Sequence, residues 1–226
     1  MPAAAESPLP SPGQRIGWPF VDVDQPAPDE ELNPGATTTP RQAATAILLR
    51  DGDAGLEVLL VERNPDSRFM GGAWVFPGGA LQAGDAGHAE AALRELEEEA
   101  GIRLAGPGEL TPFSRWITPA EVTTRFDTVF FVAASPPDAE PRVDGAECVD
   151  ARWIGPAEAL DARARGELML VFPTIKHLEE LAGLGSVDQA VEAARGRRVE
   201  PIEPRVVVRA DGPRVLLPGD PGYDDG

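Results

Sequence analysis

The fold of this 226-residue chain is decided by one stretch, Gly78-Gly79-Ala80-Leu81-Gln82-Ala83-Gly84-Asp85-Ala86-Gly87-His88-Ala89-Glu90-Ala91-Ala92-Leu93-Arg94-Glu95-Leu96-Glu97-Glu98-Glu99-Ala100-Gly101-Ile102. A glycine pair opens it, directly after Trp74-Val75-Phe76-Pro77. The middle has helical rhythm. On a helical wheel Ala89, Ala92, Leu93, Leu96 and Ala100 share one apolar arc, which predicts a core-facing stripe. Glu90, Arg94 and Glu97 fall on a second arc that reads as solvated, and Glu95, Glu98 and Glu99 on a third. Asp85 is the expected N-cap, and Gly101 the glycine that ends the helix.

Three neighbouring carboxylates are locally unfavourable. Like charges at i,i+4 cost a few tenths of a kcal/mol per pair. They also sit in the C-terminal half, where the helix dipole disfavours anions. A hard divalent cation with oxygen ligands is a natural counter-charge. A solvated acidic face on an acidic protein is the competing reading of the helix alone.

Arg94-Glu95-Leu96-Glu97-Glu98-Glu99-Ala100-Gly101-Ile102 resembles the second half of the Nudix box, Arg-Glu-apolar-x-Glu-Glu-x-Gly-apolar, at every specified position. The first half departs from it: Gly79, five residues, Asp85, eight residues, Arg94, one residue longer than the usual box and with Asp for Glu. That insertion resembles the coenzyme A diphosphatases of the family. So does Leu59-Leu60-Val61-Glu62-Arg63-Asn64-Pro65-Asp66-Ser67-Arg68-Phe69-Met70-Gly71-Gly72 leading into Phe76-Pro77-Gly78-Gly79, with Met70 where a histidine is frequent. A looser similarity to the peroxisomal, Nudix hydrolase 19-like branch rests on Trp116-Ile117-Thr118-Pro119, Arg125-Phe126-Asp127-Thr128, the helical extension from Phe172, and Leu217-Pro218-Gly219-Asp220.

The resemblance implies an α/β fold, an α/β/α sandwich with a mixed β-sheet, and hydrolysis of a diphosphate with magnesium or manganese. Carried over by position, Glu95, Glu98 and Glu99 are the metal ligands, with the Gly78 carbonyl as a further one. Arg94 holds a glutamate in place, and Gly78 and Gly79 let backbone approach the metal. Glu147 sits where a later-loop general base often lies; a solvated strand-end glutamate is the alternative. Arg63 and Arg68 are expected at substrate phosphates, with surface salt bridges as the alternative. Arg115 and Arg125 are secondary choices for that role. The first substrate class is coenzyme A or its acyl thioesters. The alternatives are ADP-ribose, dinucleotides or nucleotide sugars, or a Nudix-fold sensor that binds a nucleotide without cutting it.

The rest of the chain fits one domain. Residues 1–39, rich in Pro, Ala and acid, read as an extended or mobile arm, with Ile16, Trp18 and Phe20 apolar enough to pack. Residues 40–217 read as the catalytic domain, including a helical extension at about 172–195 and a late hairpin; 218–226 read as a tail. Expected strands are 41–49, 56–61, 74–76, 110–117, 123–134 and 147–154, with helices at 156–165, 172–181 and 187–194 and a hairpin of 205–209 with 214–217.

With 38 acidic and 20 basic residues the net charge is -18. That argues against a nucleic-acid or membrane-surface binder, which needs a basic face. The expected partner is a small-molecule nucleotide, with a homodimer as an option. No apolar run reaches a membrane span. The single cysteine, Cys148, permits no intrachain disulfide, which suits the cytoplasm, and the first residues lack the features of a signal peptide. Trp74 and Trp116 are expected in the core, His88 on the helix surface, His177 at the surface or core edge, and Cys148 buried in a strand.

Overall fold

Alternating strands and helices without regular βαβ repetition build a mixed sheet covered on both faces. The computed structural model describes residues 33, 38–209 and 212–224. The expected arm therefore lies almost wholly outside the described residues, including Ile16, Trp18 and Phe20. The strands are β1 (Arg41–Gly52), β2 (Gly55–Arg63), β3 (Ala73–Val75), β4 (Gly78–Ala80), β5 (Thr111–Ile117), β6 (Phe126–Ala134), β7 (Cys148–Ile154), β8 (Met169–Leu170), β9 (Pro201–Ile202), β10 (Arg205–Arg209) and β11 (Gly212–Leu216). The helices are α1 (His88–Ala100), α2 (Pro156–Ala164), α3 (Phe172–Leu181) and α4 (Val187–Arg195).

The main sheet runs β8-β3-β2-β1-β6-β5-β9, with β4 also paired to β1 and β7 to β2. β1 and β2 form the expected antiparallel hairpin, while β1 and β6 run parallel, Arg41 opposite Phe126 and Leu49 opposite Ala134. β10 and β11 form a separate antiparallel hairpin. The sheet is therefore mixed, as the α/β/α reading requires. β6 begins three residues later than the β-propensity suggested, because Thr123 and Thr124 belong to the preceding turn.

Strand alternation divides the core. The odd positions Ile47 and Leu49 face a cluster with Phe113, Trp116, Phe130 and the inner sides of α2, α3 and α4. The even positions Ala44, Ala46 and Leu48 face α1, where Ala91, Ala92, Leu96 and Ala100 are buried. Small residues on both sides let α1 lie close to β1. Trp74, Trp116 and Cys148 are buried as expected.

Two expectations about α1 are corrected. Gly87, not Asp85, occupies the N-cap, and no side chain caps that end. Glycines at 84 and 87 carry the chain through a loop, and the Asp85 carboxylate turns back to accept from the Gln82 amide instead. The buried stripe is also shifted from the apolar arc: it takes in Ala91, Glu95 at 7% and Glu99 at 2% exposure, while Ala89 and Leu93 are only partly buried. Gly101 ends the helix at φ 65°, as expected of a C-terminal glycine.

His177 is neither at the surface nor at the core edge. It is 2% exposed, with Phe76, Phe113, Trp116 and Phe130 around its ring and Nε2 2.5 Å from Ser114 Oγ. Helical spacing puts it on the same face as Thr174 and Leu181, which is the inner one. Among the described residues no helix is long and apolar enough to cross a membrane.

Candidate active site

The site forms where β4, the end of β2 and the last turns of α1 meet. β4 pairs antiparallel with β1, Gly78 opposite Thr45 and Gly79 opposite Ala44. Neither glycine can be replaced without movement. A methyl on Gly78 would strike Thr45 and the Ala44 carbonyl, and one on Gly79 would strike the Glu95 carboxylate. The glycine pair is thus set by close approach, to β1 on one side and to the acidic helix on the other.

Glu99 is the most deeply placed carboxylate. Its Oε2 accepts from the Gly78 amide at 2.8 Å, while Oε1 is buried with no hydrogen-bond partner. Burial is the main cause that pushes its pKa up to about 8, with Glu95 and Glu147 adding to it. A buried oxygen without a hydrogen bond costs about 1–3 kcal/mol, more when charged, so it favours a nearby positive charge; Arg63 Nη1 stands 4.0 Å from it. The carboxyl of Glu95 is likewise raised by burial, against the pull of Arg94. Glu98 is different: its side chain is 54% exposed.

Arg94 organises these groups, and the solvated position expected for it is corrected. It is 21% exposed and holds Glu95 and Glu98, each at 2.8 Å, from one nitrogen. Its other face grips Asp85 through two bonds, 3.1 Å from Nε and 3.0 Å from Nη2, and reaches the Ala80 carbonyl at 3.2 Å. The bidentate bond to Arg94 holds the Asp85 carboxyl below its usual range. Asp85 therefore fixes the arginine that fixes the glutamates. Glu90 and Glu97 on the same arc do stay outside the buried set.

The fit to a hard divalent ion is partial as the side chains stand. Among the described residues no three acidic, histidine or cysteine side chains already converge on one point. Glu95 and Glu98 are turned to Arg94, which supplies the positive charge. The donor set nevertheless suits the ion: all oxygen, two of three carboxylates buried, one oxygen unpaired, and glycine backbone adjacent.

Arg63 joins this cluster to a cavity. It ends β2 at a register shift between Glu62 and Arg63, an irregularity that re-aims the strand end. Its guanidinium lies 4.0 Å from Glu99 and 3.7 Å from Glu147. Glu147 is exposed at 58% and precedes β7, as expected. The Asp144 carboxylate fixes its position by accepting from the amides of residues 146, 147 and 148. Those backbone bonds hold Asp144 below its usual range. Asp144 was not among the expected residues, although Asp144-Gly145 is a turn signal.

The cavity, about 340 Å³, is lined at this end by Arg63, Gly78, Gly79 and Glu147. The rest of its lining is largely apolar and includes Phe69, Phe126, Trp116 and Phe172, with Val206 and Val215 of the late hairpin. Met70, at φ 53°, also lines it.

The remaining expected arginines are elsewhere. Arg68 is exposed and outside the cavity lining. Arg115 is bound by Asp127 through two bonds, 2.7 and 2.6 Å, and Arg125 by Glu203 and the carbonyls of Thr118 and Thr38. Both act as internal ties. His88 bonds Gln42 and lies near Asp127, outside the cavity lining.

The NUDIX domain family model matches residues 39–172 of the chain. The chain belongs to the Nudix hydrolase family. Human acyl-coenzyme A diphosphatase NUDT19 is 34% identical over 136 residues, which cover 54% of this chain and 36% of the human protein. The match thus spans about a third of that relative's length. Putative nudix hydrolase 7 of Caenorhabditis elegans is 26% identical over 84% of this chain and 77% of its own length. Among solved structures, a NUDIX hydrolase from Alicyclobacillus acidocaldarius superposes with a TM-score of 0.64 at 30% identity, covering 70% of this chain and 97% of that one.

Proposed function

We infer that this protein is a divalent-metal-dependent diphosphatase, with residues 40–217 as its catalytic unit and coenzyme A or an acyl-coenzyme A as its substrate class. The observation that carries the reaction is Glu99: a buried carboxylate with one unpaired oxygen, behind Gly78, at the charged end of a cavity. The coenzyme A class rests on the name of the human relative and on the Leu59–Gly79 motif.

Glu95, Glu98 and Glu99, with the Gly78 carbonyl, are the residues assigned to hold magnesium or manganese. When bound, the ion neutralises diphosphate oxygens and acidifies water. Arg94 positions Glu95 and Glu98, and Asp85 positions Arg94. Gly79 keeps the wall open beside Glu95. Arg63 is assigned to a substrate phosphate, drawn from its present place between Glu99 and Glu147, and Arg68 to an outer one. Hydrolysis bonds the water oxygen to phosphorus and breaks that phosphorus's bond to the bridging oxygen. Glu147, exposed and on the cavity wall, is assigned to take the water proton. The products are adenosine 3′,5′-bisphosphate and 4′-phosphopantetheine, or its acyl form.

The test is hydrolysis of coenzyme A, an acyl-coenzyme A, 3′-dephospho-coenzyme A, ADP-ribose, NADH and a nucleotide sugar, each with magnesium and with manganese, and Glu98→Gln as control. Turnover of the coenzyme A forms, lost in the control, supports the full reading. Preference for ADP-ribose or a sugar nucleotide keeps the chemistry and removes the substrate class. Tight binding of one compound without turnover points to a sensor.

A further inference from the structure

The geometry points to Arg41 as the specificity residue that reads a second phosphate, one carried on the nucleoside away from the scissile diphosphate. This rests on the diphosphatase reading, and it concerns a residue the box and its flanking motif do not contain.

Arg41, Ala43 and Thr45 alternate along β1 and all three line the cavity. Thr45 is paired with Gly78, at the carboxylate end. Arg41 lies four residues away, about 13 Å along the strand. Between them Ala43 offers only a methyl, so the strand leaves room for a ligand laid along it. A nucleoside with a 5′-diphosphate and a 3′-phosphate spans less than this separation, and the length of the arginine side chain covers the remainder.

The charge at Arg41 is also uncommitted. Arg63 faces Glu99 and Glu147, Arg115 holds Asp127, and Arg125 holds Glu203. Arg41 has no carboxylate within 4.0 Å among the described residues, in a chain with 38 acidic residues. Its guanidinium instead rests 5.8 Å from the centroid of the Phe126 ring, itself part of the cavity wall. A ring contact orients a guanidinium without consuming its N–H donors, leaving them for a phosphate. Phe69 packs 6.2 Å from Phe126 and steadies that ring.

The experiment measures kcat/KM for coenzyme A and 3′-dephospho-coenzyme A with magnesium, in wild type, Arg41→Gln, Arg41→Lys and Arg68→Gln. The ratio of the two values is expected to fall about tenfold or more in Arg41→Gln, the scale of a charge-assisted hydrogen bond to phosphate. Arg41→Lys should retain part of it. Calorimetry on adenosine 3′,5′-bisphosphate and adenosine 5′-monophosphate supplies a readout without turnover, and Arg41→Gln should lose the tighter binding of the bisphosphate. A ratio and a binding difference equal to wild type in Arg41→Gln overturn the inference, as does a fall seen in Arg68→Gln alone or a wild type indifferent to the extra phosphate. If wild type cuts neither substrate, the diphosphatase reading fails, and the bisphosphate binding still decides Arg41.

Discussion

Glu99 and His177 are buried ionisable side chains on helices that pack against opposite faces of one sheet. Burial favours the neutral form of both, raising Glu99 to about 8 and lowering His177 to about 3. Their surroundings differ. His177 is enclosed by four aromatic rings and shares its Nε2 with Ser114; its Nδ1 is also buried without a hydrogen-bond partner, but Phe76, Trp116 and Phe130 line the cavity where His177 itself does not. Glu99 has an unpaired oxygen, a glycine beside it, and an arginine that also borders a cavity. Desolvation alone does not define a site. What separates the two is whether the unmet polar need opens toward something that can enter.

Substitution should separate the two sharply. Glu99→Gln is expected to lower diphosphate hydrolysis by about a thousandfold or more, since a divalent ion of the kind Glu99 is proposed to hold contributes several kcal/mol to charge stabilisation. Magnesium should raise the melting temperature of wild type and leave that of Glu99→Gln nearly unmoved. His177→Ala should do the reverse, costing about 3 kcal/mol of stability by leaving a cavity among the rings while the folded protein keeps its turnover. Calorimetric melting beside steady-state turnover checks both. A Glu99→Gln enzyme that still turns over would break the contrast.

The support behind the glutamates comes next in size. Arg94→Lys cannot reproduce two bonds to Asp85 together with the two to Glu95 and Glu98. Its affinity for manganese, followed by titration, is expected to drop about 10–100-fold, the usual cost of losing an outer partner of a metal site. Gly79→Ala should cost about 1–3 kcal/mol, because the new methyl displaces Glu95 or moves β4. Urea unfolding gives the stability and the same titration gives the accompanying loss of metal affinity.

The most gradual effect is in pH. The His177 pKa is depressed on folding, so its contribution is fully present above its unfolded value near 6.5. It is lost as pH falls toward 3, where the unfolded chain takes up a proton that the buried ring does not. Over that window wild type should lose up to about 1.4 kcal/mol per pH unit more than His177→Ala. Equal slopes in urea unfolding at pH 7, 6 and 5 would mean that the ring is not held neutral.

Much of this was legible in one dimension. Register between the glycine pair, Arg94 and the three glutamates identified the family, and the apolar runs 41–49 and 56–61 on either side of a turn at 51–55 identified the central hairpin. The hairpin of β10 and β11 followed from its turn chemistry. What escaped were several features that depend on direction. Asp85 has the composition of an N-cap but the position of a partner for Arg94. His177 carries no apolar signature, yet its helix turns it inward. Arg41 opens a strand and reads as an ordinary terminal charge until β6 brings Phe126 beneath it.

Chain order was enough to set the parts available: a helix with carboxylates at i,i+3 and i,i+4, glycines where backbone must come close, and strands of the right period. These are local facts, set by covalent spacing and backbone geometry. Tertiary structure alone decided which of the three glutamates are buried, which arginines are spent on internal carboxylates, and which remain to meet a ligand. Desolvation and charge pairing depend on what stands opposite in space, and residues such as Arg94 and Asp85, or Arg41 and Phe126, become neighbours only when the sheet and α1 pack.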